Sequence, residues 1–119
     1  MMLTRHVREI VGTEREAEGP GWKSRRLLLA GEGRPFSLHE TTVDAGAELA
    51  FNYRRHAETV YCVEGRGTLE DRNAGRTIPL EPGRFYVAAI GDDHVIRAET
   101  TIRFLCVFDP PLEGQEEAD

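Results

Sequence analysis

The stretch ETVYCVEGRGTLEDRNAGRTIPLEPGRFYVAAIGDDHVIRA, residues 58–98, consists of short runs of strand-forming residues separated by tight turns. The runs are rich in Val, Ile, Tyr and Phe, and the turns read RNAG, EPG and GDD. β-branched and aromatic residues favour pleated strands, whereas Gly, Pro, Asn and Asp favour turns. Because GTLED and RTIPL flank the RNAG turn, this pair predicts a hairpin.

The same pattern continues on both sides of this stretch, and no long helical segment interrupts it. Further strands are predicted at residues 22–30, 36–43, 47–53 and 101–109. Many short strands joined by turns are typical of antiparallel sandwiches and barrels. We therefore expect an all-β fold, a single antiparallel β-barrel of two packed sheets with a jelly-roll-like arrangement.

The length of 119 residues suits one domain, which we expect to span residues 1–119. Residues 1–20 contain Val7, Ile10 and Val11 at roughly helical spacing, and they predict an N-terminal arm that is either a short helix or extended. Residues 112–119 are polar and predict a flexible tail. An open barrel leaves edge strands that need cover, so we expect a homodimer in which the N-terminal segment supplies it.

The charge pattern and the apolar pattern exclude several classes of partner. The net charge is −6 and no stretch of Lys and Arg forms a basic stripe, so we expect no nucleic-acid partner. No apolar run is long enough to cross a bilayer and no signal peptide is apparent, so we expect a cytoplasmic protein with no membrane partner. Cys62 and Cys106 form no CxxC motif and are expected to be buried thiols.

Glu58 lies within an apolar predicted strand, where a carboxylate needs a cation, hydrogen bonds or a raised pKa. Tyr86 and His94 lie on either side of the GDD turn. If that turn folds the second strand back beside the first, these two side chains face one cavity. With Glu58 they would then form an O, O, N donor set that suits Fe(II) or another borderline divalent ion. An inward tyrosine is more often part of a core, and a histidine after a turn is more often on the surface, so these alternatives stay open.

The segment from Glu58 to Gly65, together with PGRFY at residues 82–86, resembles the two metal motifs of cupin barrels. In that superfamily an HxH pair precedes the glutamate, and a histidine ends the second motif. Phe51 and Tyr53 occupy the positions of the HxH pair here, and Tyr86 occupies the position of the last histidine. The metal has therefore been lost, or its site has been rebuilt from other ligands.

Six motifs along almost the whole chain resemble the ectoine synthases, a family of small cupin enzymes. Five of them are GTERE, GWKSRRLLL, FSLHETT, VYCVEG and CVFDPPLEG, and the sixth is the spacing from Tyr86 through His94 to RA at residues 97–98. The resemblance implies a cytoplasmic, dimeric carbon–oxygen lyase that closes N-γ-acetyl-L-2,4-diaminobutyrate, an acetylated diamino acid, into the cyclic amidine ectoine with loss of water. It implies Fe(2+) as the cofactor, another divalent metal being possible, with Glu58, Tyr86 and His94 as its ligands.

The resemblance also implies roles for residues around the metal. Arg26 is expected to pair with the substrate carboxylate, between apolar walls formed by Trp22 and Phe108. The implied catalytic residues are Tyr53, Glu58 and Tyr86. The implied substrate-binding residues are Trp22, Arg26, Thr41, Tyr53, Cys106, Phe108 and Glu116. Without the resemblance, Trp22 and Phe108 are ordinary core residues and Arg26 is a surface partner.

The chain departs from the family pattern at its C-terminus and in two inner segments. The family has a histidine two positions after the residue matched by Glu116, and this chain has Ala118 there. LAF at residues 49–51 replaces the family's THI, and IGDD at residues 90–93 replaces an element containing KHD. The alternative function is therefore a non-catalytic or differently specific cupin that binds a small molecule.

Overall fold

The computed structural model describes residues 2–114, and this part of the chain contains ten strands and two short 3-10 helices. The 3-10 helices are Val7–Glu9 and Ala30–Glu32. The strands are β1 Glu16–Gly19, β2 Trp22–Leu28, β3 Ser37–Val43, β4 Glu48–Phe51, β5 Ala57–Glu64, β6 Gly67–Asp71, β7 Arg76–Leu80, β8 Phe85–Ala88, β9 His94–Ala98 and β10 Ile102–Asp109. No helix in residues 2–114 is long and apolar enough to span a membrane.

The strands form two antiparallel sheets, as the turn spacing predicts. The first sheet has six strands in the order β1-β2-β3-β10-β5-β8, and the second has four in the order β4-β9-β6-β7. The predicted hairpin is formed by β6 and β7, which pair from Gly67 opposite Leu80 to Asp71 opposite Arg76. The prediction of an all-β, two-sheet fold is confirmed.

The alternation of side chains along β10 and β5 places the core between the two sheets. Ile102, Phe104, Cys106 and Phe108 of β10 are all buried, because every second residue of a strand points to the same face. In β5 the buried row contains Glu58 together with its apolar neighbours Val60 and Cys62. Glu58 therefore occupies a core position, as the sequence predicts.

The outer face of the first sheet carries a row of alternating charges across five strands. Arg25 lies 3.2 Å from Glu16 and 3.5 Å from Glu40, and Arg103 lies 3.4 Å from Glu40 and 3.0 Å from Glu64. Opposite charges on neighbouring strands stabilise their pairing and fix its register. This row places Arg25 on the outside of β2 and therefore Arg26 on the inside.

Both terminal segments pack on the domain where the structure describes them. The N-terminal segment contains a short helix, Val7–Glu9, and an extended strand, β1, which pairs with β2 of the same chain, and Ile10 is buried. The predicted tail is packed at its start, since Leu112 is buried and its backbone bonds to Ser37 Oγ and to the amide of Ala30. The remaining tail, from residue 115 on, lies outside the described residues.

Candidate active site

A cavity of about 350 Å³ lies between the two sheets. The predicted site residues that line it are Trp22, Arg26, Thr41, Tyr53, Glu58, Tyr86, Cys106 and Phe108. Tyr86 also lines a second cavity of about 260 Å³, between β8 and the β6–β7 hairpin, where His94 is found. The structure thus places eight of the predicted residues in one cavity and His94 in the second, with Tyr86 lining both. Glu116 lies outside the described part of the chain.

The strands of the first sheet deliver these side chains from one inner face. Trp22 and Arg26 share a face of β2 because they are an even number of residues apart. Strand pairing places Thr41 of β3 opposite Phe104 of β10, and Phe108 opposite Glu58 of β5. Most of the polar lining groups therefore stand on strands, which holds them in fixed positions, whereas Tyr53 lies in the segment between β4 and β5.

The carboxyl group of Glu58 is buried among apolar neighbours. Loss of solvent raises the pKa of Glu58 to about 7, and a hydrogen bond from the Cys106 thiol partly opposes this rise. Cys106 in turn bonds to Thr41, and burial beside Glu58 raises the pKa of this thiol well above its usual range, so the thiol stays protonated and donates. A cation beside Glu58 would stabilise the ionised carboxylate.

Tyr86 lies beside Glu58 on the same face of the sheet. Tyr86 pairs with Val60, and Glu58 pairs with Ala88, so the two side chains are diagonal neighbours on adjacent strands. Burial and the nearby Glu58 carboxyl raise the pKa of the Tyr86 phenol well above its usual value. A metal ion at this point would reverse that shift, because its charge favours both ionised oxygens.

His94 reaches the same region from the second sheet. The condition considered from the sequence, that the GDD turn folds β9 back beside β8, is not met: β8 pairs with β5, whereas β9 pairs with β4 and β6. The turn instead carries the chain from one sheet to the other, so that His94 faces Tyr86 with the ring centroids 5.9 Å apart.

The two ring nitrogens of His94 have different surroundings. Nδ1 lies 3.0 Å from the Asp92 carbonyl oxygen, which only accepts hydrogen bonds, so Nδ1 carries the proton. Nε2 then carries the lone pair, and it is buried with no hydrogen-bond partner among the described residues. A buried lone pair with its tautomer set by a backbone carbonyl is the usual state of a metal-binding histidine.

These three side chains fit a divalent metal ion. No group of three His, Cys, Asp or Glu side chains in residues 2–114 is arranged to hold a metal, so a site here depends on the phenol of Tyr86 as the third donor. With Glu58 and His94 it gives two oxygens and one nitrogen, a donor set suited to borderline divalent ions. The orphaned Nε2 of His94 and the buried carboxyl of Glu58 are both groups that a metal would satisfy.

Aromatic rings form one wall of the cavity. Tyr53 stacks on Phe51 at a centroid distance of 5.8 Å and meets the edge of Phe108 at 5.1 Å. The carbonyl of Tyr53 accepts a 2.8 Å hydrogen bond from the amide of Gly91, in the turn that precedes His94. These ring contacts fix the Tyr53 side chain in the cavity lining.

Arg26 lies in the same cavity, and the segment after β10 passes beside it. Its side chain is only 3% exposed, and its guanidinium donates to the carbonyl of Gly114. A buried guanidinium is always charged and presents a planar fork of donors to a carboxylate. The interpretation of Arg26 as a surface residue is therefore wrong.

Ser24 and Phe51 are among the lining residues that the sequence did not single out for the site. Ser24 lies between Trp22 and Arg26 on the same face of β2, and parity alone could have identified it. Phe51 stacks on Tyr53 and contacts the His94 ring at 5.6 Å, although the sequence marked it only as a replaced histidine.

Comparisons with known proteins agree with one another. The family model for ectoine synthase matches residues 2–119. An L-ectoine synthase from Nocardia farcinica is 48% identical over 118 residues, covering 99% of this chain and 90% of the relative. One from Desulfosudis oleivorans is 46% identical over 119 residues, covering 99% of this chain and 92% of the relative.

Solved structures show the same similarity. The crystal structure of ectoine synthase from P. lautus superimposes with a TM-score of 0.89 at 42% identity, covering 94% of this chain and 80% of that one. A polyketide cyclase from Streptomyces resistomycificus has a TM-score of 0.72 at 23% identity, with coverage of 100% and 89%. An RmlC-like cupin from Shewanella frigidimarina has a TM-score of 0.66 at 22% identity, with coverage of 80% and 82%, and these two confirm the cupin fold alone.

Proposed function

Because this chain belongs to the ectoine synthase family, we propose that it closes N-γ-acetyl-L-2,4-diaminobutyrate, or a close analogue, into the cyclic amidine ectoine with loss of water. Membership of this family makes the chain an enzyme of the carbon–oxygen lyase class with a small-molecule substrate. The observation that carries the proposal is that Arg26 and Glu58 line one cavity with Tyr53 and Tyr86.

We propose Fe(2+) as the cofactor, held by Glu58, Tyr86 and His94. Because another divalent ion suits the same donors, loading the protein with different divalent metals and measuring turnover identifies the metal that supports it. When bound, the metal supplies a Lewis acid that polarises the acetamido carbonyl of the substrate. The buried Nε2 of His94 and the raised pKa of Glu58 support a cation at this place.

The reaction joins two ends of one molecule, so the shape of the bound substrate matters. The α-amino nitrogen forms a bond to the acetamido carbon, the carbonyl oxygen leaves as water, and both protons of that water come from the amine. Arg26 holds the carboxylate, while Trp22 and Phe108 pack on the carbon chain and keep it curled. The Tyr53 hydroxyl moves a proton between the amine and the departing oxygen.

The proposed activity is tested by incubating the Fe(II)-loaded protein with N-γ-acetyl-L-2,4-diaminobutyrate. We expect ectoine in the product mixture, detected by NMR, and no ectoine after treatment with a chelator. Binding of the substrate by metal-loaded protein without any cyclic product would instead favour the small-molecule binding protein.

Replacing Arg26 with alanine is expected to raise the substrate concentration needed for half-maximal rate by at least about 30-fold. A buried charge-assisted pair is worth roughly 2 kcal/mol or more, and turnover at saturation should change less because the metal ligands are untouched. Arg25→Ala is the matched control, since Arg25 lies on the opposite face of β2 and pairs with Glu16 and Glu40. Equal kinetic effects of the two changes would contradict this role.

We propose a homodimer that buries an apolar strip on the outer face of the first sheet. Leu105 pairs with Tyr61, which pairs with Phe85, and these side chains are 39%, 48% and 62% exposed. The strip ends at β8, an edge strand whose free backbone groups favour pairing with a second copy. The same strip on both copies gives a two-fold interface. In this arrangement the second copy, and not the N-terminal segment, covers the edge of the sheet, because β1 already pairs with β2 of its own chain.

Sedimentation is expected to give a dimer for the parent protein and a monomer for Phe85→Glu. Ile90→Glu is the control, because Ile90 is equally exposed at 57% but lies in the turn after β8, outside the strip. A parent protein that stays monomeric at micromolar concentration would contradict the dimer, and a dimeric Phe85→Glu variant would place the interface elsewhere.

A further inference from the structure

We propose that Asn73, in the turn between β6 and β7, is a positioning residue for His94 and acts through a single peptide plane. The proposal deepens the function above and rests on His94 being a metal ligand. Asn73 lies outside both cavities, so its side chain would act without touching substrate or metal.

The peptide unit between Asp92 and Asp93 connects the two residues. Its carbonyl oxygen accepts from Nδ1 of His94 at 3.0 Å, and its N–H donates to Oδ1 of Asn73 at 2.7 Å. Because a peptide unit is planar and trans, fixing the direction of the N–H also fixes the direction of the carbonyl. Asn73 therefore sets the orientation of the group that selects the His94 tautomer and aims Nε2.

The surrounding bonds hold the segments on both sides of this peptide unit, and Asn73 supplies the side chain that accepts from its N–H. The carboxylate of Asp92 accepts from the amide of Ala89 at 2.9 Å, and the amide of Asp92 donates to the carbonyl of Ala89 at 3.0 Å. These bonds close the turn on itself. On the other side of the plane, the carbonyl of Asp93 accepts from the amide of Arg72 at 3.0 Å. The 92–93 peptide plane is thus held between the turn and the hairpin.

Asn73 is not needed for the hairpin turn in which it lies. Asp71 closes that turn, since its side chain accepts from the amide of Ala74 at 3.1 Å and its carbonyl accepts from the amide of Gly75 at 2.8 Å. The hairpin thus uses Asp71 for its own geometry and presents Asn73 to the segment before His94. Asparagine supplies a carbonyl oxygen that is a strong acceptor for a peptide N–H.

The test compares metal binding by Asn73→Ala, Asn73→Asp and the parent protein. Loss of a group that orients a ligand histidine weakens metal binding by about 10-fold or more, so Asn73→Ala should show this loss in a Co(II) titration of the metal-free protein. Asn73→Asp keeps an acceptor oxygen and should bind close to parental strength. At saturating metal, the substrate concentration for half-maximal rate should not change, because Asn73 is remote from the cavity.

The ¹⁵N shifts of the His94 ring in metal-free protein provide a readout that a general loss of stability does not move. We expect the Nδ1-protonated tautomer in the parent protein and a mixture of tautomers in Asn73→Ala. Arg72→Ala is the matched control, since only the backbone of Arg72 contacts this turn while its side chain pairs with Glu70.

The outcomes separate this proposal from the proposed metal site. Parental metal affinity and an unchanged tautomer in Asn73→Ala would overturn the positioning role alone, as would an equal effect of Arg72→Ala. A parent protein that binds no divalent metal would overturn the metal site, and with it the role of Asn73 toward a ligand.

Discussion

Replacing His94 with alanine is expected to remove the metal from the purified protein and to lower turnover by at least about 100-fold. The imidazole supplies the nitrogen of the proposed donor set, and its Nε2 is the buried atom that has no other partner among the described residues. With the ring removed, only the oxygens of Glu58 and Tyr86 remain, and burial raises the pKa of both groups, so that protons compete more strongly with a cation for them.

Elemental analysis of the purified variant is the primary measurement, with turnover of the metal-loaded protein as the second. His56→Gln is the control, because His56 is also buried near Phe108 but its Nδ1 bonds to the Pro110 carbonyl at 2.8 Å. We expect this control to keep its metal. Full metal content in His94→Ala would place the metal elsewhere or remove the need for this ligand.

Replacing Gly65 with alanine is expected to destabilise the protein by about 4 kcal/mol or more, measured by urea unfolding. Gly65 has a φ of +99°, a conformation that side chains disfavour. A Cβ atom would also collide with the carbonyl oxygen of Thr101 and would lie 2.7 Å from Cα of Ile102. Both contacts are backbone atoms next to β10, so relief requires moving the strand that carries Cys106 and Phe108.

Gly83→Ala separates the two causes of this loss. Gly83 has nearly the same φ, +96°, but nothing lies within 4 Å of the added Cβ. Its cost should therefore be the conformational penalty alone, about 1–2 kcal/mol. Equal destabilisation by the two changes would show that β10 does not pack closely against Gly65.

Several features of the fold follow directly from the sequence. Alternating apolar residues and Gly, Pro, Asn and Asp turns predict β6, β7 and β10 nearly to the residue, because strand period and turn chemistry are local properties. Strand β1 was not predicted, because the GPG sequence at residues 19–21, which overlaps its end, is a strong turn signal. Only the pairing of β1 with β2 defines it as a strand. The strand predicted at residues 22–30 ends at Leu28, and a 3-10 helix begins two residues later, at Ala30.

The candidate site was predictable in its members but not in its geometry. Trp22 and Arg26 are an even number of residues apart on one strand, so their side chains are expected on the same face of the sheet. The apolar neighbours of Glu58 in the sequence predict that its carboxyl is buried. The assignment of Tyr86 and His94 as ligands came from the resemblance to a family, since spacing alone favours a core tyrosine and a surface histidine.

What the sequence by itself determined is therefore the strands, the turns and the donor groups, because each depends on residues a few positions apart. Only the tertiary structure decided that β9 joins the opposite sheet, that His94 consequently faces Tyr86 across the cavity, and that Asn73 meets the peptide unit before His94. These contacts depend on how two twisted sheets pack, a collective result of many long-range pairings that no local pattern encodes.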